Sequence, residues 1–227
     1  MNIALIVAGG IGKRLGIDTP KQFLKVNNKP IIVYTLEKFE KCDEVDQIIV
    51  VTLEQYIEEV KSYKEKYRIN KLSNVVLGDR TRQLSTYNGL LSIKDKESIV
   101  LIHDAARPLV SVDVIKENIK VAKENGNAIT ACKVNDTMMQ DDKYLKREEL
   151  VTIQTPQTFK YELILKAHQE ALKRGIDSSN DDSYLVKLLE NKLFFVESDK
   201  TNFKVTTKDD LTLLNAILKG EQNGNSD

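Results

Sequence analysis

The stretch of this 227-residue chain best suited to chemistry is Ala8-Gly9-Gly10-Ile11-Gly12-Lys13-Arg14. It follows the apolar run Ile3–Val7, which predicts a buried strand. Glycine lets a backbone approach an anion closely and adopt positive φ, so several N–H groups can point at one phosphate. Lys13, Arg14 and the nearby Lys21 add positive charge around the same point. The sequence therefore predicts a phosphate-binding loop.

Two familiar phosphate loops do not fit this stretch. A Walker A loop needs Ser or Thr after its lysine and a glycine at the position of Val7, whereas Lys13 is followed by Arg14. A dinucleotide fingerprint would use Gly10 and Gly12, but Leu15 occupies its third glycine position. An ordinary tight turn with solvated cations does not require three glycines. We therefore expect phosphates held partly by side-chain cations.

Composition narrows the class of partner. Lys+Arg and Asp+Glu both count 34, so the net charge is zero and no general attraction to nucleic acid or to an anionic membrane is expected. Cys42 and Cys132 lie far apart without a CxxC pattern and are expected to be core residues. The chain shows no charged-then-apolar leader and no apolar run of membrane-spanning length, so we expect a cytoplasmic protein.

Apolar runs alternate with segments of helical periodicity, among them the predicted helices Leu53–Tyr67 and Phe159–Arg174. The predicted strands after the first are 47–51, 74–77, 98–102, 128–134, 151–154 and 193–196. This alternation predicts an α/β, Rossmann-like fold with a mainly parallel sheet and helices on both faces. The glycine loop, the turn at Gly78 and the turn at Asp104 all follow strands and should meet at one edge. We expect one domain over residues 1–219 and a disordered tail over 220–227.

A polar segment without periodicity, 135–149, interrupts this alternation between two predicted strands. Such an excursion from a compact domain is typical of a functional or interacting element. We treat residues 135 to about 153 as an arm.

Asp104 follows a buried strand at its carboxyl end. It could organise Mg²⁺ carried by substrate phosphates or hold a substrate hydroxyl, and its alternative role is to pair with Arg107 or cap the next turn. His103 should point the opposite way from Asp104 and be a hydrogen-bonded structural histidine. His168 lies in a predicted helix, and we expect no functional role for it.

Five separated motifs occur in order along the chain: the glycine loop, Pro20-Lys21-Gln22-Phe23, His103-Asp104-Ala105-Ala106-Arg107-Pro108, Gln154-Thr155-Pro156-Gln157-x-Phe159 and Asn202-x-Lys204-Val205-Thr206. Together they resemble the 2-C-methyl-D-erythritol 4-phosphate cytidylyltransferase family and the closely related ribitol-5-phosphate cytidylyltransferases. The resemblance covers Ile3 to about Leu218. It implies a nucleotidyltransferase fold with a protruding dimerisation arm.

The resemblance also implies a reaction, in which an acceptor phosphate oxygen attacks the α-phosphorus of CTP with Mg²⁺ present and pyrophosphate leaves. The implied catalytic cations are Arg14, Lys21 and Lys204. The implied CTP-binding residues are Ala8, Gly9, Gly10, Gly12, Lys13, Arg82 and Ser85. The implied acceptor-phosphate residues are Asp104, Arg107, Thr137, Arg147 and Thr155, with Asp104 also the candidate metal ligand. Thr137 and Arg147 would act in the site of a homodimer partner.

Departures from the family pattern bear on the acceptor. Asp79, Met139 and Asn180 replace the usual residues, and Gly9 stands where alanine is common in the methylerythritol enzymes. The spacing from Gly16 to Pro20 and the His-Asp-Ala-Ala-Arg motif favour methylerythritol phosphate over ribitol 5-phosphate. A nucleotide-binding module without turnover is a third alternative, although binding alone would need fewer cations than this chain retains.

Overall fold

The computed structural model describes residues 1–10 and 19–224, with side chains described up to 220. Within these ranges, seven strands form one sheet: β1 Asn2–Ala8, β4 Gln47–Thr52, β5 Leu72–Leu77, β6 Ile99–Asp104, β7 Asn127–Lys133, β10 Val151–Lys160 and β11 Phe195–Glu197. Their order in the sheet is β11-β7-β10-β6-β1-β4-β5. Two small sheets pair β2 (Lys25–Val26) with β3 (Lys29–Pro30) and β8 (Met138–Gln140) with β9 (Lys143–Leu145).

The sheet is mixed but mainly parallel, which confirms the predicted class. The pairs β1–β4, β1–β6, β4–β5 and β7–β11 are parallel. Strand β10 runs antiparallel to both of its neighbours, β6 and β7. It enters the sheet directly from the arm without the helical crossover that a parallel neighbour requires, so this orientation follows from the connection.

Helices cover both faces of the sheet. Their bounds are α1 Ile31–Glu40, α2 Ile57–Lys66, α3 Arg82–Leu91, α4 Val112–Asn125, α5 Tyr161–Lys173, α6 Asp182–Lys187 and α7 Lys208–Gly224. Side chains of β1 alternate between two cores: Ala4 and Ile6 pack with α1, α2 and α4, whereas Leu5 and Val7 pack with α3, α5 and α6. A strand buried on both faces reads as a continuous apolar run, as Ile3–Val7 does. None of the described helices is long and apolar enough to cross a membrane.

Three segments differ from the sequence-based prediction. A short 3₁₀ turn, Glu54–Tyr56, precedes α2 where one continuous helix was expected. Phe159 lies in β10 and is fully buried, so α5 begins at Tyr161 rather than at Phe159. Helix α7 continues to Gly224, so residues 220–224 are helical although their composition predicted disorder. Residues 225–227 of the predicted tail lie outside the described residues.

Helix α3 packs unusually close to the sheet at Gly89. A Cβ at this position would lie 2.6 Å from Leu5 Cδ1 and 2.7 Å from Val51 Cγ2, closer than real Cβ atoms approach. The N-terminus of α3 is capped by Thr81, whose hydroxyl accepts the Leu84 N–H at 3.2 Å. Because Gly89 has no side chain, α3 can pack close to the sheet, and the Thr81 cap fixes the residue at which the helix begins.

The predicted arm contains the hairpin β8–β9, whose turn residues Asp141 and Asp142 adopt φ of 47° and 61°. A 3₁₀ turn, Arg147–Glu149, then leads into β10. Large hydrophobic side chains are exposed on this segment, among them Tyr144 at 75% and Met139 at 52%. Exposed apolar side chains on a hairpin outside the main sheet are typical of an interaction surface.

Candidate active site

A cavity of about 360 Å³ lies at the carboxyl ends of the parallel strands, where the loops after β1, β5 and β6 meet. Among the described residues, its cationic lining is Lys21, Arg80, Arg82 and Lys204, and its acidic lining is Asp79 and Asp104. Gly9, Gly10, Ser85 and Asn180 also line it. The excess of positive charge suits a polyanion, and the position is the one at which open α/β sheets bind ligands.

The glycine loop is tied to the segment that carries Lys21. Gln22 is buried, and its Nε2 donates to the carbonyl oxygens of Ala8 at 2.7 Å and Gly10 at 2.9 Å. Lys21 therefore sits at the cavity, next to the backbone of the loop, at the start of the 3₁₀ turn Lys21–Phe23. Gln22 is not among the site residues predicted from the sequence, although a polar residue between Lys21 and the apolar Phe23 is a signal of this role. The predicted site residues Gly12, Lys13 and Arg14 lie outside the described residues.

Ser85 occupies the point where two glycine backbones approach. Its buried Oγ accepts the Asp79 N–H at 2.9 Å. A Cβ on Gly9 or Gly78 would come within 3.2 Å and 3.1 Å of this oxygen, respectively. The carboxylate of Asp79, which departs from the family pattern, accepts the Arg80 N–H at 2.6 Å. These contacts order the backbone that lines one wall of the cavity.

Asp104 ends β6 and faces three cations. Its Oδ2 lies 2.8 Å from Lys204 Nζ and 3.7 Å from Arg107 Nε, and its Oδ1 lies 3.2 Å from Arg82 Nε. Burial alone would raise the pKa of Asp104, but Arg82, Lys204 and Arg107 together hold that pKa well below its usual range. The sequence left two roles open for Asp104, pairing with Arg107 or contacting a substrate-bound cation or hydroxyl. Asp104 pairs with Arg107 and also lines the cavity, so the structure is compatible with both.

Behind Asp104, Thr155 and His103 form a buried support. The Thr155 hydroxyl accepts the Asp104 N–H at 3.1 Å and lies 3.1 Å from His103 Nδ1. His103 Nε2 lies 3.1 Å from the Arg107 carbonyl, and burial lowers the pKa of His103 to about 4. His103 is therefore the hydrogen-bonded structural histidine expected from the sequence. Thr155 contacts Asp104 rather than lining the cavity itself.

Arg107 is held on the other side of this support. Its Nη1 donates to the Asn202 carbonyl at 2.7 Å, and the Asn202 amide in turn donates to the Thr155 carbonyl at 2.9 Å. The Asn202 motif thereby joins β10 to the segment that carries Lys204. This explains how residues so distant along the chain reach one carboxylate.

Thr137 and Arg147 lie on the arm, away from this cavity. Thr137 is exposed. Arg147 contacts Glu148 at 3.2 Å and the Asn135 carbonyl at 3.2 Å, with its side chain 55% exposed. A single chain does not bring these two predicted acceptor residues to the cavity.

The donor set at the cavity fits a cation that arrives with substrate phosphates. Among the described residues, no group of three or more His, Cys, Asp or Glu could hold a metal ion. Asp104 supplies one ionised carboxylate at the cavity, and Mg²⁺ commonly takes one or two carboxylates together with substrate phosphates.

The arrangement can bind a chain of phosphates and stabilise charge that develops on it, since four cationic side chains of the described residues and the Gly9–Gly10 backbone line one cavity. The described residues around the cavity show no Ser–His or Cys–His nucleophile pair: His103 contacts Thr155, and His168 contacts Asp182.

Comparison with known proteins gives a consistent result. The model of the 2-C-methyl-D-erythritol 4-phosphate cytidylyltransferase family matches residues 2–220. A protein of that name from Clostridium botulinum strain Langeland is 40% identical over 224 residues, covering 96% of this chain and 97% of its own. A ribitol-5-phosphate cytidylyltransferase from Lacticaseibacillus paracasei is 38% identical over 234 residues, covering 98% of this chain and all of its own.

Solved structures agree with this match. The 4-diphosphocytidyl-2C-methyl-D-erythritol synthase of Anaerococcus prevotii superposes with a TM-score of 0.84 at 30% identity, covering 96% of both chains. The 2-C-methyl-D-erythritol 4-phosphate cytidylyltransferase of Thermus thermophilus gives a TM-score of 0.79 at 28% identity, covering 96% of this chain and all of that one. Motifs, cavity and relatives together place this chain in the 2-C-methyl-D-erythritol 4-phosphate cytidylyltransferase family.

Proposed function

We propose that this chain transfers CMP from CTP to 2-C-methyl-D-erythritol 4-phosphate, a step of isoprenoid precursor synthesis. The observation that carries the proposal is the convergence of Lys21, Arg82 and Lys204 with the Gly9–Gly10 backbone in one cavity. An oxygen of the acceptor phosphate forms a bond to the α-phosphorus of CTP. The bond from that phosphorus to the bridging oxygen breaks, and its electron pair leaves with pyrophosphate.

The protein's part in this reaction is positioning and charge stabilisation. Backbone N–H groups of the loop from Ala8 to Gly12 would hold phosphates, and Ser85 would order the wall that meets the base. Lys21 and Lys204 would stabilise charge on the α-phosphoryl oxygens as the new bond forms. We assign Arg14 the same role and Lys13 a supporting one, on the strength of their motif.

Mg²⁺, carried by the CTP phosphates, would neutralise charge on the leaving pyrophosphate. Asp104 would hold this cation or an acceptor hydroxyl. Its carboxylate already faces three cations, so it would also keep Arg82 and Lys204 aligned for the phosphates.

On the acceptor side, we propose a cytoplasmic homodimer in which the arm carries Thr137 and Arg147 into the neighbouring site. The exposed apolar side chains of the hairpin and the exposure of Arg147 support this arrangement. The substrates are then small phosphorylated molecules, with neither nucleic acid nor membrane as partner.

A second candidate acceptor is ribitol 5-phosphate, which the 38%-identical ribitol-5-phosphate cytidylyltransferase favours. Relatives that are 40% and 39% identical favour methylerythritol phosphate. Pyrophosphate release, measured with CTP and each acceptor in turn, separates the two. Turnover with methylerythritol phosphate is expected, and release with ribitol 5-phosphate alone would reassign the acceptor. Release with neither, while CTP still binds, would favour a binding module without turnover.

A further inference from the structure

Arg82 is held by carboxylates on two sides. Its Nε lies 3.2 Å from Asp104 Oδ1 in the cavity, and its Nη1 lies 2.7 Å from Asp182 Oδ2. The Asp182 side chain is only 1% exposed and does not line the cavity. Nη2 is therefore the guanidinium nitrogen that neither carboxylate takes. The orientation of Arg82 toward the cavity depends on where Asp182 is fixed.

Asp182 is fixed in turn by His168. The fully buried His168, on α5, places its Nε2 3.2 Å from Asp182 Oδ1. An ionised carboxylate oxygen only accepts, so Nε2 is the donor. His168 Nδ1 has no hydrogen-bond partner among the residues that the structure describes. The Asp182 contact is thus the polar interaction that accounts for an imidazole at this buried position.

The ring of His168 is also held in orientation. It stacks on Tyr87 of α3, with ring centroids 6.1 Å apart and planes inclined by 13°. Tyr87 and Arg82 belong to the same helix, so His168 contacts α3 directly and also reaches its first residue through Asp182. A buried carboxylate with two donors is better satisfied than one with a single donor, because unpaired lone pairs in the interior are costly.

We propose that His168 is a positioning residue for the nucleotide site: through Asp182 it holds the Arg82 guanidinium in the orientation that meets a nucleotide phosphate. The inference rests on the proposed function, because it takes CTP as the ligand of Arg82. His168 itself touches no substrate. Its effect is transmitted through one carboxylate that is bonded to both side chains.

The experiment compares three variants by calorimetric titration with CTP and Mg²⁺. His168→Leu keeps apolar volume but removes the donor, and we expect its Kd for CTP to rise about tenfold. His168→Gln carries an amide nitrogen close to the position of Nε2, and its Kd should stay within about twofold of the unsubstituted chain. His168→Asn is equally polar but too short to reach Asp182, so it should bind CTP as weakly as the leucine variant, and it replaces that variant if the latter does not fold.

Thermal unfolding of each variant without ligand records the structural cost, which a core residue without a positioning role would also show. The coupling measurement repeats the substitution in an Arg82→Lys background. There, His168→Leu should weaken CTP binding no further, because the guanidinium it positions is gone.

If His168→Leu or His168→Asn folds and binds CTP as tightly as the unsubstituted chain, the inference is wrong and the proposed function is unaffected. The same holds if His168→Leu weakens CTP binding as much in the Arg82→Lys background as in the unsubstituted chain. Failure of the unsubstituted chain to bind CTP would overturn the proposed function and, with it, this inference.

Discussion

Lys204 Nζ lies 2.8 Å from Asp104 Oδ2, although one hundred residues separate the two along the chain. With Arg82 and Arg107 on the same carboxylate, Asp104 is the shared counter-charge of three cations. Before a nucleotide arrives, this anion holds Lys204 and Arg107 beside Arg82, which Asp182 also pairs.

Asp104→Asn should therefore destabilise the free protein by about 3 kcal/mol, because Lys204 and Arg107 lose their carboxylate partner while Arg82 keeps Asp182. Added pyrophosphate should raise the melting temperature of the variant more than that of the unsubstituted chain, since it restores negative charge among the cations. Differential scanning calorimetry with and without pyrophosphate measures both effects. Glu65→Gln, an exposed substitution on α2, is the control. If pyrophosphate raises the melting temperature of Asp104→Asn and of the unsubstituted chain by the same amount, this account of Asp104 is contradicted.

Lys21→Ala should lower kcat by roughly 10²–10³ while leaving the fold intact, as expected for the loss of one transition-state donor. The hydrogen bonds that Gln22 donates to the Ala8 and Gly10 carbonyls remain in this variant, so we expect the folded structure to be kept. Steady-state kinetics with circular dichroism as the folding check measures this, with the exposed Lys25→Ala as the matched control. An increase in KM alone, at normal kcat, would argue against a transition-state role.

CTP binding and turnover should require Mg²⁺, while the protein without nucleotide retains no metal. The described residues offer no three-ligand cluster, and Asp104 is already paired with cations. Elemental analysis after dialysis, followed by titration of CTP with and without Mg²⁺, measures this. A stoichiometric metal surviving dialysis would count against the prediction.

Arg147→Ala should impair use of the acceptor much more than binding of CTP, because Arg147 lies on the arm and not at the cavity. Mixing it with Lys21→Ala provides the sharper measurement. If the arm acts in the neighbouring subunit, each mixed dimer has one site with both defects and one with neither, and roughly a quarter of the activity should return. Subunit exchange without any recovery would show that Arg147 serves its own chain.

The free energy of unfolding should fall as the pH is lowered from about 6.5 to about 4 in the absence of ligands. Burial lowers the pKa of His103 to about 4, below the usual value near 6.5, so the unfolded chain binds a proton that the folded chain excludes in this window. The contribution is complete above pH 6.5 and is lost as the pH falls toward 4. Urea unfolding at a series of pH values measures it. His103→Gln should flatten the dependence between pH 5 and 6.5, and an unchanged slope would assign it to other groups.

The fold was predictable because its central strands are easily recognised in the sequence. Ile3–Val7 and its parallel neighbours are continuous apolar runs, and the loops at their carboxyl ends meet as parallel topology requires. The position of Asp104 near the glycine loop could therefore be predicted from the sequence.

The full length of strand β10 could not be predicted from the sequence. Gln157 and Thr158 are buried although polar, because the Gln157 amide donates to Asp181 at 2.6 Å and Thr158 pairs with Asn118 at 3.4 Å. A hydrophobicity pattern misses a strand whose burial depends on hydrogen bonds. The pairing of Arg82 with Asp182 was equally hidden, since one hundred residues separate the two.

The close approach of α3 to the sheet at Gly89 has a consequence for how the sequence can vary. An alanine there would collide with Leu5 and Val51 and push the helix outward, moving Arg82 and Ser85 with it. A mutational scan scored by nucleotide turnover would then count Gly89 among the active-site positions, although it does not line the cavity. Engineering of base preference should accordingly hold Gly89, Gly78 and the Thr81 cap fixed, and vary Asp79 and Arg80, which line the cavity.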